Sequence, residues 1–233
     1  QLNKGMLLWS FNFVNSNHGM DVINRAMIQV NSHMMEKGMP ELKKSHDINT
    51  YLYYMGRFNR LSVSAIGQFR YNHHPVTDDY YLDEANRKIV KTYSNGGNAQ
   101  YYSAIFALQY KLCKFANLSG DIRYSHAEVK TIWSKHNNNL TGNLGLNMFM
   151  GDFALKPYLH FGKKSLDEAA LVINKTPIDY GMSCSYSRGN LYVELQAASP
   201  FKKQEKQYWL DLPIYSYNKS IKDQTASQYA SIK

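Results

Sequence analysis

The stretch YLYYMGRFNRLSVSAIGQFRY, residues 51–71, holds two alternating segments on either side of a short turn. In its second half an apolar set alternates with a more polar one, namely Leu61, Val63, Ala65, Gly67, Phe69 and Tyr71 against Ser62, Ser64, Ile66, Gln68 and Arg70. Successive side chains of a strand point to opposite faces, so this period of two predicts a β-strand with one apolar and one polar face. A helix would repeat its apolar residues about every 3.6 positions.

The same alternation recurs along most of the chain. Comparable segments begin near residues 7, 48, 102, 118, 140, 153, 180 and 191. The sequence therefore predicts an all-β chain of about nine or ten meandering antiparallel strands. One short exception is HGMDVINRAMIQV, residues 18–30, which could contain a turn or two of helix inside a long loop.

The connections between these segments are alternately short and long. The short ones are GRFNR (56–60), KFAN (114–117), MGD (150–152) and SRGN (187–190), and the long polar ones span 15–44, 73–98, 128–139, 163–177 and 199–225. Short periplasmic turns and long extracellular loops are typical of outer-membrane barrels. Segments of about ten residues also match the ~9–11 that a tilted strand needs to cross a bilayer. We therefore predict an antiparallel transmembrane β-barrel.

A soluble antiparallel sandwich or barrel is the alternative, because its strands alternate too. The long apolar faces favour the membrane interpretation, as do the 19 tyrosines, several of which lie near segment ends where interfacial girdles occur. Lipid penalises ionised side chains, so the charged members of the polar sets should face a wet lumen. These lumen-facing candidates are Arg70, Lys111, Asp121, Arg123, Lys156 and Glu194.

The net charge of +9 on 233 residues raises the question of a nucleic-acid partner. The basic residues are dispersed, and their pairs (Lys43 with Lys44, Lys163 with Lys164, Lys202 with Lys203) lie at segment ends without any nucleic-acid-binding motif. Solvated loop charge is the preferred interpretation, with no nucleic acid as partner. Rim and loop lysines are candidates for contacts with lipopolysaccharide phosphates, a hypothesis that rests on charge and position.

No catalytic motif is recognisable: a Ser-His-Asp order, HExxH, a Walker loop and GxGxxG are all missing from the sequence. The sequence therefore predicts neither an enzyme nor a cofactor. Cys113 and Cys184 have no metal-ligand spacing, and unpaired apolar packing is preferred over a disulfide, which two cysteines would allow.

Three features could bind a ligand, and each has a simpler interpretation. His73 and His74 are adjacent, so on a regular strand they point to opposite faces, and a strand end is preferred over a metal pair. The acidic cluster of Asp78, Asp79, Asp83 and Glu84 could bind Ca²⁺, although a solvated loop is preferred. Trp133 and Trp209 could stack on a sugar, although girdle or loop packing is preferred.

Several phrases carry a family resemblance. They are GMPELKKSH (38–46), YYLDEANRKIVKTYSNGGNAQYYSAIFALQYKL (80–112), LSGDIRYSHAEV (118–129), GNLGLNMFMGDFAL (142–155) and AASPF (197–201). In this order they resemble TonB-dependent-receptor-like outer membrane β-barrel proteins of the Bacteroidetes type. The chain departs from that family's pattern at Met39 and Lys44, where the family has Asn and Pro.

The resemblance implies that residues 1–233 are the C-terminal part of a barrel domain that follows a plug domain and earlier strands. The opening QLNKG resembles a turn between strands and not a signal sequence. The implied function is uptake of a bulky nutrient across the bacterial outer membrane. The implied partners are outer membrane lipid and lipopolysaccharide, a plug domain, TonB-type energy coupling and a surface lipoprotein. A non-transporting structural or adhesion-type barrel and a soluble ligand-binding β protein remain as alternatives.

Overall fold

The computed structural model of the chain describes residues 3–199, 204–223 and 228–232. In chain order its elements are β1 (Asn3–Ser16), α1 (Met20–Ile23), β2 (Met27–Gln29), β3 (Met34–Lys37), β4 (Ser45–Phe58), β5 (Leu61–His73), β6 (Thr77–Asp83), β7 (Lys88–Ser94), β8 (Asn98–Cys113), β9 (Ala116–Lys130), β10 (Ser134–Met150), β11 (Phe153–Phe161), β12 (Lys163–Asp167), β13 (Val172–Thr176), β14 (Asp179–Arg188), β15 (Leu191–Ala198), β16 (Gln204–Asp211), β17 (Ser216–Asp223) and β18 (Gln228–Ile232). The prediction of an all-β, mostly antiparallel chain is confirmed, and α1 is the predicted turn of helix. In the described ranges, no helix has the length and apolar character needed to cross a membrane.

Ten strands form one antiparallel sheet, called the main sheet below. Their order is β1-β4-β5-β8-β9-β10-β11-β14-β15-β18. Strands that follow one another along this order pair side by side, so the predicted meander of nine or ten strands is confirmed. Over the described residues, β1 and β18 each pair along one edge, which makes the sheet open.

Four tight turns join strands at one end of the main sheet, as predicted. Each leaves two residues between the strands it connects, at 59–60, 114–115, 151–152 and 189–190. Asn59, Gly151 and Gly189 have φ of 50°, 62° and 60°. Two-residue hairpin loops favour positive φ because that backbone twist matches the twist of the flanking strands. Local residue choice therefore favours three of these four hairpins.

Long connections join the strands at the other end, as predicted, except at 128–139. Most of the described part of these connections folds into two further four-stranded sheets, β2-β3-β7-β6 and β12-β13-β16-β17, which together are called the cap. The predicted loop at 128–139 is instead a continuation of β9 and β10 around residues 131–133. Residues 200–203 and 224–227 of the last connection lie outside the described residues. Sheet pairing satisfies the backbone polar groups of these polar segments, although their sequences show no apolar face.

A hydrophobic core lies within the cap. It contains Tyr80 from β6, Leu171 just before β13, Val172 from β13, Leu210 from β16 and Leu212 just after it. The ends of two main-sheet strands contribute to the same core through Ala99 and Val129. Leu171 and Leu210 are only 1% and 2% exposed. Burial of such side chains contributes about 1.5–3 kcal/mol each, so the cap is held together as an ordinary soluble fold is.

The main sheet is organised in the opposite way, because its strand register collects the apolar sets on one surface. Across neighbouring strands, Leu52 lies opposite Gly67, Gly67 opposite Ala104, and Ala104 opposite Tyr124. We call this side the apolar face and the other side the polar face. Large side chains on the apolar face are exposed, with Trp9 at 73% and Phe106 at 51%. No second layer of the described chain covers this face.

Both cysteines are free thiols. Cys184 lies on the apolar face, opposite Leu155 on one neighbouring strand and Leu195 on the other. Cys113 is the last residue of β8, next to a tight turn. The surroundings of Cys184 agree with the expectation of apolar packing.

Candidate functional site

The six predicted lumen-facing residues all lie on the polar face of the main sheet. The register places each opposite another member of that face, in the pairs Arg70–Tyr101, Lys111–Asn117, Asp121–Asn143, Arg123–Thr141, Lys156–Ser183 and Glu194–Ser185. Their common orientation follows from the period of two together with the antiparallel register. That this face encloses a lumen stays a prediction.

Two cavities open on the polar face. The smaller, of about 520 Å³, is lined by Asp121, Lys156 and Glu194, among others. The larger, of about 820 Å³, lies between the main sheet and the second small sheet, with Arg123 on one side and Lys206 on the other. Both linings include Asp121, so the two cavities adjoin. Their volumes are in the range of small-molecule sites.

The structure brings together some of the six candidates and separates others. Asp121 lines both cavities, and Lys156 and Glu194 line the smaller one. Arg70 and Lys111 are not among the described residues that line either cavity. Lys111 lies near a tight turn, since it is followed two residues later by the end of β8. The six therefore share a face and not a single site.

Asn143 is the centre of a hydrogen-bonded group on this face that also contains Asp121. The amide Nδ2 of Asn143 lies 2.9 Å from each carboxylate oxygen of Asp121. The carbonyl oxygen of the same Asn143 is bonded to Nδ1 of His160. With the amide oxygen toward the ring, Nδ1 of His160 carries the proton and donates it. The group offers a carboxylate and a ring nitrogen, Nε2, to a solute in the cavity.

Two amide oxygens in the larger cavity have no hydrogen-bond partner among the described residues. They are the Oδ1 atoms of Asn137 and Asn174, and Asn137 is only 4% exposed. A buried acceptor without a partner costs about 1–3 kcal/mol. Both atoms are buried, so a solute in the cavity reaches them only if these side chains move.

A contact that the sequence analysis missed joins the polar face to the cap. Arg70 forms an ion pair with Glu168, at the turn between β12 and β13. The next residue, Ala169, accepts a hydrogen bond from the backbone N–H of Asp78 at 2.7 Å. These contacts fix the β12–β13 hairpin over the polar face. Glu168 had been assigned to a loop, and its sequence gives no signal for a partner 98 residues away.

The acidic residues of the small sheet β2-β3-β7-β6 do not come together around a single metal-ion site. Asp78 forms an ion pair with Lys91 at 3.2 Å, Asp79 accepts a hydrogen bond from Nε1 of Trp133 at 3.0 Å, and Asp83 bonds to the turn residue Asn86. Burial raises the pKa of the Asp78 carboxyl, and the charge of Lys91 opposes this rise. The loop interpretation is also corrected here, because Asp78, Asp79 and Asp83 belong to β6.

The prediction that a strand ends at the histidine pair is confirmed, since His73 is the last residue of β5. The two rings nevertheless lie together, with centroids 3.8 Å apart. His74 has φ of 60°, which takes it out of the strand geometry that would separate the rings. Within the described part of the chain, no group of three or more His, Cys, Asp or Glu side chains could hold a metal ion.

The two candidate tryptophans fit the packing interpretation. Trp133 packs against the cap core. The ammonium group of Lys164 lies 5.7 Å from the centre of the Trp209 ring, a cation–π contact. Both rings belong to the internal contacts of the cap.

The cavities of the polar face are lined by hydrogen-bonding side chains and by side chains of both charges. A scan against family models, a search of curated proteins and a search of solved structures each find no match to the chain.

Proposed function

We propose that the chain forms part of a transmembrane β-barrel in the bacterial outer membrane and takes part in the uptake of a bulky nutrient. The carrying observation is the apolar face, which runs across the main sheet and stays exposed. Soluble monomers rarely expose contiguous apolar patches larger than a few hundred Å². Side chains such as Trp9, Phe106 and Leu195, at 73%, 51% and 56% exposure, require a cover, and lipid supplies it.

Strand length supports the same proposal. At about 3.3 Å per residue, the 13 residues of β5 span about 43 Å. With a tilt of about 45°, this length corresponds to about 30 Å along the membrane normal, the thickness of the hydrocarbon core. The four tight turns would then face the periplasm, and the cap would lie outside the cell.

The polar face supports a role in uptake. Its cavities are lined by the charged residues Asp121, Arg123, Lys156 and Glu194, which suit a polar solute. A plug domain, TonB-type coupling and a surface lipoprotein are implied by the family resemblance alone. The Arg70–Glu168 contact favours the second candidate, a structural or adhesion-type barrel, since it fixes a hairpin over the polar face.

Cysteine labelling of adjacent residues tests the membrane assignment. In a background with Cys113 and Cys184 replaced by serine, Phe106→Cys places a thiol on the apolar face and Ala107→Cys places one on the polar face. We expect a lipid-soluble maleimide to label the first and a membrane-impermeant maleimide to label only the second. Recovery of the chain in the soluble fraction, with both thiols open to the impermeant reagent, would support the soluble alternative instead.

Growth tests then separate uptake from a structural role. Cells that lack the protein should fail to grow on one bulky nutrient as the carbon source while they grow normally on its small building blocks. Normal growth on every bulky nutrient, together with a leaky or detergent-sensitive outer membrane, would favour the structural candidate.

A further inference from the structure

The larger cavity of the polar face lies between two sheets that face each other. On the main sheet its lining takes every second residue of β9 and β10, and Arg123 of β9 lies directly opposite Thr141 of β10. On the second small sheet the lining again takes alternate residues, such as Lys206 and Tyr208 of β16. Each wall is therefore one face of a regular sheet, and side chains of both walls border the same space.

The carboxylates that line this cavity are already bonded to other groups of the protein. Asp121 has the side-chain amide of Asn143 at 2.9 Å from each of its oxygens. Glu168 is ion-paired with an arginine of β5. Asp179 accepts a hydrogen bond from the hydroxyl of Ser199 at 2.8 Å. The negative charges of the lining therefore have partners within the chain.

Two of the cationic side chains of the same lining have no such partner. Lys164 has its ammonium group 5.7 Å from the centre of the Trp209 ring. Arg123 and Lys206, in contrast, form no ion pair or hydrogen bond with another residue in the ranges that the structure describes. Both side chains are exposed, so water solvates them in the empty cavity. Their charges, on opposite walls, are available to a ligand.

Uncharged donors lie beside Arg123. Thr141 is its direct partner on β10, and Asn139 is the next residue of that strand on the polar face toward the cap. Oδ1 of Asn139 accepts a hydrogen bond from the backbone N–H of Lys164 at 3.0 Å, which orients the amide and leaves its Nδ2 group to donate. A guanidinium beside an amide and a hydroxyl suits an oxyanion, because the planar fork of arginine matches carboxylate and phosphate geometry.

The smaller cavity repeats this pattern. Glu194 accepts a hydrogen bond from the hydroxyl of Tyr192 at 2.9 Å, whereas Lys156 has no ion pair or hydrogen bond of its side chain among the described residues. The smaller cavity lies nearer the tight turns, because its lining includes Ser119 near the start of β9, while the larger one reaches Ala127 near the end of that strand. Unpaired cationic groups therefore extend from the cap toward the tight turns.

We propose that the larger cavity binds a polar solute by an oxyanion group, a carboxylate or a phosphate, held between Arg123 of β9 and Lys206 of β16. Charge-assisted hydrogen bonds to such a group are stronger than hydrogen bonds between neutral groups. A neutral solute would leave both cations without a counter-ion. This inference rests on the proposed uptake function and gives the nutrient a chemical class.

Three probes that differ only at one carbon test for the oxyanion, namely glucuronate, glucose 6-phosphate and glucose. Their binding to the full chain in a neutral detergent is measured by isothermal titration calorimetry at low salt. We expect at least one anionic probe to bind about tenfold more tightly than glucose, and added salt to weaken its binding. The anion that binds more tightly identifies the oxyanion as carboxylate or phosphate.

Two variants test the residues. Arg123→Gln and Lys206→Gln each remove one charge from an exposed side chain without a partner in the described chain, so neither should disturb the packing. Each should weaken binding of the anionic probe about five- to tenfold and leave binding of glucose unchanged. The matched control, Lys111→Gln, removes the same charge from the same face at a position that lines neither cavity, and it should bind as the wild-type chain does.

Absence of binding by both anions, equal affinity for the three probes, or full affinity for the anion in either cavity variant would overturn the proposal. An equal loss in Lys111→Gln would also overturn it, because the effect would then come from the overall charge of the face. Lack of anion selectivity in a chain whose Phe106→Cys thiol is shielded by lipid contradicts the ligand alone. Anion-selective binding by a chain recovered in the soluble fraction supports the ligand and contradicts the membrane location.

Discussion

The cap buries its apolar side chains, whereas the main sheet exposes many of its own. The cap buries Leu171 and Leu210 in a shared core, at 1% and 2% exposure, whereas the main sheet leaves Phe106 and Ile122 exposed, at 51% and 54%. Both regions are mostly antiparallel β-structure, and the parallel pair of β3 and β7 lies in the cap. The difference shows that strand pairing alone does not define the environment of a sheet. The environment is indicated by which face the register makes apolar and by whether another layer covers that face.

The largest expected effect lies in the cap core. Leu210→Ala should destabilise the cap by about 2–5 kcal/mol, because it removes a buried side chain and leaves a cavity. Hydrogen exchange should accelerate in the cap strands while protection in the middle of β9 and β10 is retained. Leu82→Ala, at a position 55% exposed on β6, is the control and should have little effect. Equal loss of protection in the main sheet would show that the two regions unfold together.

A charge on the apolar face should have the next largest effect. Phe106→Arg should cost about 2–4 kcal/mol if the middle of this face lies in lipid. The neighbouring Ala107→Arg places the same charge on the polar face opposite Asp121, and we expect almost no cost. Urea titration of folding in lipid vesicles measures both. Similar small costs for the two variants would argue that water, and not lipid, covers the apolar face.

The Arg70–Glu168 contact between the main sheet and the cap should contribute less to stability than the two preceding positions. Glu168→Gln removes the ionic part of the contact with Arg70. The two side chains are partly exposed, at 37% for Arg70 and 22% for Glu168, so we expect a cost of at most about 1 kcal/mol. Hydrogen exchange should rise in residues 163–176 without a change in overall melting. Glu84→Gln, in the exposed turn after β6, serves as the matched control. Unchanged hydrogen exchange in the β12–β13 hairpin would show that the hairpin is held by the backbone hydrogen bond from Asp78 to Ala169 and by the cap core.

The smallest expected effect is a pH dependence of the cap. Burial raises the pKa of Asp78 in the folded chain above its unfolded value, so the unfolded chain loses this proton first as pH rises. The folded state binds more protons in that interval, and cap stability should therefore fall as pH rises from near 4 through the folded pKa. Asp78→Asn should flatten this slope in fluorescence-monitored unfolding. If cap stability depends on pH equally in Asp78→Asn and in the wild-type chain, another ionisable group causes the dependence.

Local pattern was sufficient to predict the main sheet. The period of two at Leu61 to Tyr71 identified a strand with its two faces, and residues such as Asn59 and Gly151 marked tight turns. The same pattern placed Asp121, Arg123 and Lys156 on one face. These features depend on residues close in sequence, which is why they could be predicted.

The cap could not be predicted in this way. Strand β3 pairs with β7, and β13 pairs with β16, between connections that are distant in sequence. Segments such as TDDYYLD lack a clean apolar face, because their partners and not their own pattern decide what is buried. The cavity contacts of Glu168 and Asn174 were missed for the same reason.

The sequence by itself determined the strands of the main sheet, their order and the chemical character of each face, because side-chain period and turn residues act over a few positions. Tertiary structure alone decided that the long connections form a cap with its own core and that Arg70 meets Glu168. It also decided that Arg123 and Lys206 line one cavity from opposite walls. These contacts join residues that are far apart along the chain, so they arise only when the register of the whole sheet is set.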